Sequence, residues 1–353
     1  MSIITSLLVL SFLIFFHELG HFIAARFFGV AVEVFSIGFG RKVLTKKIGN
    51  TEYCLSMIPL GGYVQMKGQD DTDPTKISLD TDSYNTKKPW QRIIILFAGP
   101  FANFLLAFLL YIAIGNMGVT KLLPTIGAIS KDSPALMGGL QKGDKIIAIN
   151  HVPIQTWDEL SNKIKNSQGI LLFDIERQDK KQRIKIMPKV HTYKNMFGET
   201  LEKKMVGIAP IGAVTVLKLS FPQSINYAVD ATKQATTMIV KSLQKLIEGV
   251  IPAKDLGGIV SIVQVTAEAS KIGLVALFGL TALISVNLGV LNLLPIPALD
   301  GGHIMFNLYE MITKKAPSEK VLYYLTLTGW ALLLSLMAFT IFNDIYRLIG
   351  AES

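Results

Sequence analysis

The sequence predicts an α-helical polytopic membrane protein with about four transmembrane helices, a membrane-associated β-region on the cytoplasmic side and one extracytoplasmic domain. Half of the 353 residues are hydrophobic and only 17% are charged, which is typical of a membrane protein. Four apolar stretches are each long enough to cross the roughly 30 Å hydrocarbon core of a bilayer. Between the second and third stretches, the chain is polar enough to form a soluble domain.

The predicted transmembrane helices lie within residues 1–28, 93–115, 271–303 and 321–345. Lys and Arg are concentrated in the loops 26–92 and 310–320, and the positive-inside rule places both loops in the cytoplasm. The two termini and the long segment between the second and third spans are then expected outside. The first stretch lacks the basic beginning of a cleaved signal peptide and is expected to remain as a span.

Net charge and cysteine content limit the classes of function. The formal net charge is +9, but the basic residues are scattered or flank apolar runs. This distribution indicates orientation in a membrane and contact with lipid, and it does not indicate binding of nucleic acid. Cys54 is the single cysteine, so the chain has neither an internal disulfide nor a metal site built from several cysteines.

The first apolar stretch contains the motif H-E-L-G-H at residues 17–21. On a helix, His17 and His21 lie one turn apart on one face, where two imidazoles can bind one Zn²⁺ while Glu18 is placed as a general base. The motif also arises by chance, and a buried histidine can be an ordinary core residue. Ionisable residues within a membrane span are costly and usually functional, so a metal site is the favoured interpretation.

Residues 31–68 alternate in polarity and are predicted to form strands, with a candidate hairpin turn at Gly49 and Asn50. The hairpin would begin where the first span ends and lie beside the metal, where its edge could pair with an extended peptide. An ordinary cytoplasmic hairpin explains the pattern equally well. Residues 69–92 are polar and are predicted to form a cytoplasmic loop.

Residues 121–210 are predicted to form a compact α/β domain. Ser-Pro-Ala and Gly-Leu-x-x-Gly-Asp segments within 133–144 precede a strand, a helix at 157–165 and further strands, and this order resembles a PDZ domain. Residues 211–270 are predicted to be an amphipathic helical segment that lies on the outer membrane surface or covers the domain. Its apolar positions include Val229, Ile239 and Ile247.

A catalytic zinc site normally has three protein ligands and a water, so the H-E-L-G-H motif needs one more ligand. His151 and His191 fall in the domain expected across the membrane. Asp300 lies at the cytoplasmic end of the third span, level with the two histidines, and His303 is its nearby competitor. Two prolines before Asp300 interrupt the helix, which a membrane tolerates only beside protein or a water-lined cavity. Spacing alone leaves open that Asp300 belongs to a simple turn outside the membrane.

Together these motifs resemble the site-2 protease family of intramembrane zinc metalloproteases, and most closely its bacterial regulator-of-sigma-E protease type. The likeness covers nearly the whole chain: H-E-x-x-H in the first span, A-G-P-F-A-N at 98–103 in the second, a PDZ domain, and N-x-x-P-x-P-x-x-D-G-G in the third. The chain departs from the pattern in having room for one PDZ domain where the best-known enterobacterial members carry two. It also has Gly257, Gly258 and Ile259 where Gly-Pro is usual.

The resemblance implies a role for each matching residue. The implied zinc ligands are His17, His21 and Asp300. Glu18 would be the catalytic base, and Asn292 matches an asparagine that handles substrate in the family. The strands at 31–68 would present the substrate. The remaining implied substrate contacts are Pro295, Pro297, Gly61 and Gly62.

The implied activity is hydrolysis of a peptide bond within the transmembrane segment of a single-span protein, such as an anti-sigma factor or a remnant signal peptide. An upstream site-1 protease would act first. The implied location is the bacterial cytoplasmic membrane, with the active site toward the cytoplasmic leaflet. Two other functions remain open, namely a metal transporter and a membrane-tethered PDZ scaffold without protease activity. Spans two and four offer few polar groups for a transport path, and a scaffold would not need the intact metal motif.

Overall fold

The computed structural model describes residues 2–69, 78–194 and 199–350. The chain divides into two compact units, Met1–Gly115 with Phe221–Ser353, and Asn116–Ser220. The helices are Ser2–Phe27 (α1), Pro89–Met117 (α2), Pro134–Met137 (α3), Trp157–Lys165 (α4), Phe221–Ile247 (α5), Ile259–Ile272 (α6), Leu274–Asn292 (α7), Asp300–Thr313 (α8) and Glu319–Gly350 (α9). The strands are Val32–Ile48 (β1), Thr51–Met66 (β2), Val119–Leu122 (β3), Ile126–Ile129 (β4), Lys145–Ile149 (β5), Val152–Pro153 (β6), Leu171–Arg177 (β7), Lys180–Ile186 (β8), Lys189–Lys194 (β9), Thr200–Met205 (β10), Ile208–Pro210 (β11) and Val214–Leu217 (β12).

Four helices of the first unit, α1, α2, α7 and α9, are long and apolar enough to cross a membrane. Within the described residues, these four long apolar helices are compatible with the four predicted transmembrane stretches. Large apolar side chains on them are exposed, for example Leu8 on α1 and Leu332 on α9, as expected for side chains that face lipid. The protein is therefore a helical membrane protein with additional β-structure.

The third predicted span is not one helix over residues 271–303. Helix α6 ends at Ile272, α7 ends at Asn292, and α8 begins at Asp300. Proline has no N–H and disfavours helical geometry in the residue before it, so the two prolines between α7 and α8 end the first helix. Asp300 consequently lies on the first turn of a separate helix, and the simple turn considered from the sequence is not what forms.

Two glycines allow the connection between α7 and α8 to fold back onto α8. A Cβ atom on Gly301 would collide with the carbonyl oxygen of Leu294, and one on Gly302 would collide with that of Ile296. No other residue fits at either position without moving the backbone. The Asp-Gly-Gly sequence therefore fixes where the backbone of Asp300 lies.

The strands β1 and β2 pair as an antiparallel hairpin with its turn at residues 49–50, where the sequence predicts it. Both strands bend, so that segment 32–37 pairs with 52–55 on one side and with 62–66 on the other. Segment 44–48 pairs with the far side of 52–55. Residues 62–66 are thus an edge strand, and within the described ranges no further strand pairs with their outer side.

The segment predicted as amphipathic contains the separate helices α5 and α6, and its predicted apolar face is only partly buried. Ile239 is buried, but Val229 and Ile247 are exposed. In a membrane protein apolar residues face lipid as well as protein, so apolar periodicity does not identify the packed face; small residues often do. The other buried residues of α5 are Ser224, Ala228 and Ala235.

Asp344 of α9 caps the beginning of α6. Its carboxylate accepts hydrogen bonds from the backbone N–H groups of Gly258 (3.0 Å), Val260 (3.0 Å) and Ser261 (3.1 Å), and from the Ser261 hydroxyl. The first N–H groups of a helix have no partner within it. A Cβ atom on Gly258 would lie 2.7 Å from Asp344 Oδ2, so the glycine allows the carboxylate to approach.

The second unit is built around an antiparallel four-stranded sheet with the order β6-β5-β7-β8. Helix α4 covers the predicted residues and begins after Thr156, whose hydroxyl caps it. The core of the unit includes Ile146, Leu160 and Phe173. The hairpin of β9 and β10 is absent from the sequence-based prediction. Identification of this unit as a PDZ domain stays a prediction.

We expect Asp344→Leu to lower the free energy of unfolding by about 1–3 kcal/mol, because it leaves the N–H groups at the start of α6 buried without an acceptor. Thermal unfolding in detergent measures the change. Asp230→Leu is the control, since Asp230 is exposed on α5. Equal melting temperatures for the two variants would contradict the capping role.

Candidate metal centre and active-site cavity

Helix α1 presents the two histidines of the H-E-L-G-H motif on one face, as their spacing predicts. His17 Nε2 and His21 Nε2 are 3.2 Å apart. Their side chains are only 12% and 8% exposed. Two imidazole nitrogens therefore converge on one point in largely apolar surroundings.

Asp300, on the first turn of α8, joins the two histidines. Its Oδ2 lies 3.2 Å from His17 Nε2 and its Oδ1 lies 3.5 Å from His21 Nε2. The ligand atoms of the three residues all lie within 4.8 Å of one another. Oδ2 is buried without a hydrogen-bond partner in the described part of the chain. A cation satisfies this arrangement, and two imidazoles with one carboxylate are a ligand set of catalytic zinc sites.

The remaining histidines do not join this cluster. His303 lines the adjacent cavity, but it is not part of the group of possible metal ligands. His151 and His191 belong to the second unit and are exposed there. Among the described residues, the cluster of His17, His21 and Asp300 is the one group of three that could hold a metal.

A hydrogen bond at the Nδ1 atom of His21 determines which ring nitrogen carries the proton and which one directs a lone pair at the cluster. His21 Nδ1 lies 2.9 Å from the backbone carbonyl oxygen of Ile95 on α2. A carbonyl oxygen only accepts hydrogen bonds, so Nδ1 carries the proton in this contact. The lone pair of Nε2 is then directed at the cluster, which is how a backbone carbonyl commonly orients a metal-binding histidine.

Asn103 of α2 contacts the second ring nitrogen of His17. Asn103 Nδ2 lies 3.1 Å from His17 Nδ1, and Asn103 Oδ1 is buried without a partner in the described ranges. A 180° rotation of the Asn103 side-chain amide exchanges the positions of Nδ2 and Oδ1. In that orientation Oδ1 accepts a hydrogen bond from the Nδ1–H of His17, and the lone pair of His17 Nε2 faces Asp300. The hydroxyl of Ser285 on α7 donates to the backbone carbonyl oxygen of Asn103 at 2.8 Å. The sequence indicates Asn103 only as part of a motif; its contact with His17 requires the fold.

Glycines let α1 and α2 approach closely enough for these contacts. A Cβ atom on Gly99 would collide with the His21 imidazole, and one on Gly20 would collide with the carbonyl oxygen of Ala98. Small residues on facing helices allow the backbones to come together. The two glycines therefore bring His21 within reach of the Ile95 carbonyl.

A cavity of about 480 Å³ opens beside the cluster. Its wall includes His17, Glu18, His21 and Asp300, and on the hairpin side the edge strand at residues 62–66. The hairpin edge and the carboxylate expected to act as a base thus face the same space. This cavity is the candidate active site.

Gly61 and Gly62 shape the edge strand near Glu18. A Cβ atom on Gly61 would collide with the Phe39 ring. One on Gly62 would lie 2.8 Å from the Ser36 carbonyl oxygen and 3.4 Å from Glu18 Cγ. Gly62 therefore keeps the strand next to Glu18. Contact of either glycine with substrate stays a prediction.

Asn292, the last residue of α7, places its Nδ2 3.5 Å from His17 Nε2, so its amide reaches the cluster. Pro295 is exposed, and Pro297 packs against α8, where a Cβ atom on Gly302 would lie 2.6 Å from its Cα. Neither proline is among the described residues that line the cavity. Both shape the connection between α7 and α8, and their direct contact with substrate stays a prediction.

The model of peptidase family M50 matches residues 5–336 of the chain. A Campylobacter jejuni protein named "putative zinc metalloprotease" is 50% identical over 347 residues, which cover 98% of this chain and 94% of that protein. A protein with the same name from Helicobacter pylori is 42% identical over 352 residues, covering 98% and 99%. One from Clostridium acetobutylicum is 35% identical over 348 residues, covering 98% and 97%.

Asn103→Leu should weaken zinc binding about 10-fold or more, because His17 loses the acceptor that orients it. Asn103→Asp should retain zinc, because a carboxylate oxygen accepts the same Nδ1–H. Competition with a chelator in detergent measures both affinities. An unchanged zinc affinity in Asn103→Leu would contradict the orienting role.

Gly99→Ala should reduce the zinc content per protein chain, because the added methyl group displaces the His21 ring. Gly279→Ala is the matched control on α7, where the nearest atom to an added Cβ is Ile114 Cδ1 at 3.9 Å. Elemental analysis of both purified variants measures the zinc content. Equal zinc in the two variants would show that His21 tolerates the displacement.

Proposed function

The chain belongs to peptidase family M50, whose members are zinc-dependent intramembrane proteases, and on this basis we propose that it hydrolyses peptide bonds within the transmembrane segments of single-span membrane proteins. The observation that carries the proposal is the convergence of His17, His21 and Asp300 in a cavity that Glu18 also lines. Family membership favours a zinc metalloprotease over the transporter and the scaffold considered from the sequence.

In the proposed mechanism, His17, His21 and Asp300 would hold Zn²⁺, which when bound polarises the scissile carbonyl and makes water more acidic. Glu18 accepts a proton from the attacking water and passes it to the leaving amine nitrogen as the C–N bond breaks. The Asn292 amide is close enough to the cluster to donate to the carbonyl oxygen as negative charge develops there.

The edge strand at residues 62–66 is the proposed site of substrate presentation. A transmembrane helix hides its carbonyl groups in its own hydrogen bonds, so the substrate must unwind before cleavage. An extended peptide can then pair with an unpaired strand edge. The support for this step is that the edge lines the cavity and that Gly62 lies beside Glu18.

The proposed substrates are single-span proteins such as an anti-sigma factor or a remnant signal peptide, trimmed beforehand by a site-1 protease. The proposed site of action is a bacterial inner membrane, with the active site toward the cytoplasmic leaflet. The charge distribution of the loops supports this orientation. The second unit is proposed to be an extracytoplasmic PDZ domain that selects substrates, as the regulator-of-sigma-E protease type would imply.

Glu18→Gln should lower the cleavage rate by at least about 100-fold, because it removes the proton acceptor, while zinc remains bound. Asp300→Ala should lower zinc content, and His303→Ala should leave it unchanged. Cleavage of a model transmembrane substrate in detergent and elemental analysis provide the two readouts.

Cleavage by Glu18→Gln near the wild-type rate would contradict its role as the base. Loss of zinc in His303→Ala but not in Asp300→Ala would show that the third ligand is wrongly assigned. A transporter would keep metal flux in Glu18→Gln, which measurement of zinc uptake into vesicles tests directly.

A further inference from the structure

A second cavity, of about 430 Å³, lies next to the active-site cavity, and His303 lines both. We name it the flank cavity. Its wall is formed by Gly68 just after β2, Arg92 on α2, Asn307 on α8 and Thr326 on α9, among others. The proposed mechanism makes no use of these residues.

Two buried polar side chains of the flank cavity have atoms without partners in the described ranges. Asn307 is 6% exposed; its Nδ2 donates to the His303 carbonyl at 2.8 Å, but its Oδ1 has no partner. Thr326 is 3% exposed, and its hydroxyl has no partner. The buried hydroxyl of Thr281, by contrast, donates to the carbonyl of Leu277 in its own helix. Buried polar groups are normally paired, so each of these two residues has an unmet hydrogen bond beside the cavity.

The charges in the flank cavity indicate what kind of occupant fits. Arg92 and Glu310 form an ion pair at 2.6 Å, and the exposed Glu319 adds a second carboxylate, so the described wall carries no excess positive charge that would attract an anion. Arg92 Nε is buried and also lacks a partner in the described ranges. Asn307 Oδ1 is an acceptor, and the Thr326 hydroxyl and Arg92 Nε–H are donors, all three on residues that line the cavity. A peptide backbone, which is neutral and has both N–H and C=O groups, matches this set better than a phosphate or a free carboxylate.

The position of the flank cavity relative to the edge strand connects it to the proposed substrate path. Residues 62–66 of β2 line the active-site cavity, and Gly68, two residues beyond the end of β2, lines the flank cavity. The flank cavity therefore lies next to one end of the edge strand. We propose that this cavity is a substrate subsite that binds extended backbone on one side of the scissile bond. This inference rests on the proposed function.

The test compares Asn307→Leu and Thr326→Val with wild-type on three model transmembrane substrates: one intact, one trimmed close to the scissile bond on its amino side, and one trimmed on its carboxyl side. Each variant should raise KM for the intact substrate about 3- to 10-fold, the effect of one lost hydrogen bond, with little change in kcat. One of the two trimmed substrates lacks the backbone that would bind in the flank cavity. For that substrate the variants and the wild-type protein should have equal KM. Thr281→Val is the matched control, and it should leave KM unchanged on all three substrates.

Zinc content and melting temperature show whether each variant folds, and the two variants provide independent tests. The subsite is overturned if the variants leave KM for the intact substrate unchanged. It is also overturned if KM rises by the same factor on all three substrates, as it would if the cavity held only water. A wild-type enzyme that cleaves no transmembrane substrate at all would contradict the proposed function, and this subsite with it.

Discussion

The structure depends on one constraint: polar groups placed among apolar helices must each find a partner, because the surroundings offer none. Two imidazoles and a carboxylate occupy one point between α1 and α8. The outer nitrogens of both rings contact α2, at the Ile95 carbonyl and the Asn103 amide. Among the described residues, the inner atoms contact one another and, at His17 Nε2, the Asn292 amide, and a bound cation resolves that arrangement. The geometry of the metal site therefore depends directly on how the helices pack.

Backbone proximity is the means by which the constraint is met. Gly99 and Gly20 bring α1 and α2 together. The Asp-Gly-Gly sequence at the start of helix α8 and the prolines before it place a carboxylate beside the histidines of α1. The same principle recurs far from the metal, where Gly258 allows Asp344 to cap α6. Small residues in these helices thus determine where charged groups can be tolerated.

The chemistry of the candidate site is largely predictable from local spacing. Two histidines at i and i+4 share a helix face in any sequence, so His17 and His21 meet without knowledge of the fold. An ionisable residue inside a membrane span has a high free-energy cost and is usually functional, so the sequence alone indicates a role for Glu18. The hairpin turn at residues 49–50 follows from equally local signals. For the same reason four apolar stretches suffice to predict four long helices.

Features that depend on contacts between distant segments could not be predicted in this way. The bending of β1 and β2 that makes residues 62–66 an edge depends on pairing partners, and no local pattern specifies it. The packed face of α5 could not be identified from apolar periodicity, because lipid and protein both favour apolar side chains. The contacts of Asn103 with His17 and of Asp344 with α6 each join residues more than 80 positions apart.

X-ray absorption at the zinc edge tests the central claim that His17, His21 and Asp300 together hold the metal. In detergent-purified wild-type protein we predict two imidazole nitrogens and carboxylate or water oxygens at about 2.0–2.2 Å, with no sulfur. Asp300→Ala should lose an oxygen ligand from any zinc that remains, while both imidazoles persist. A third imidazole in the wild-type spectrum, or an Asp300→Ala spectrum identical to that of the wild type at full zinc occupancy, would contradict the assignment.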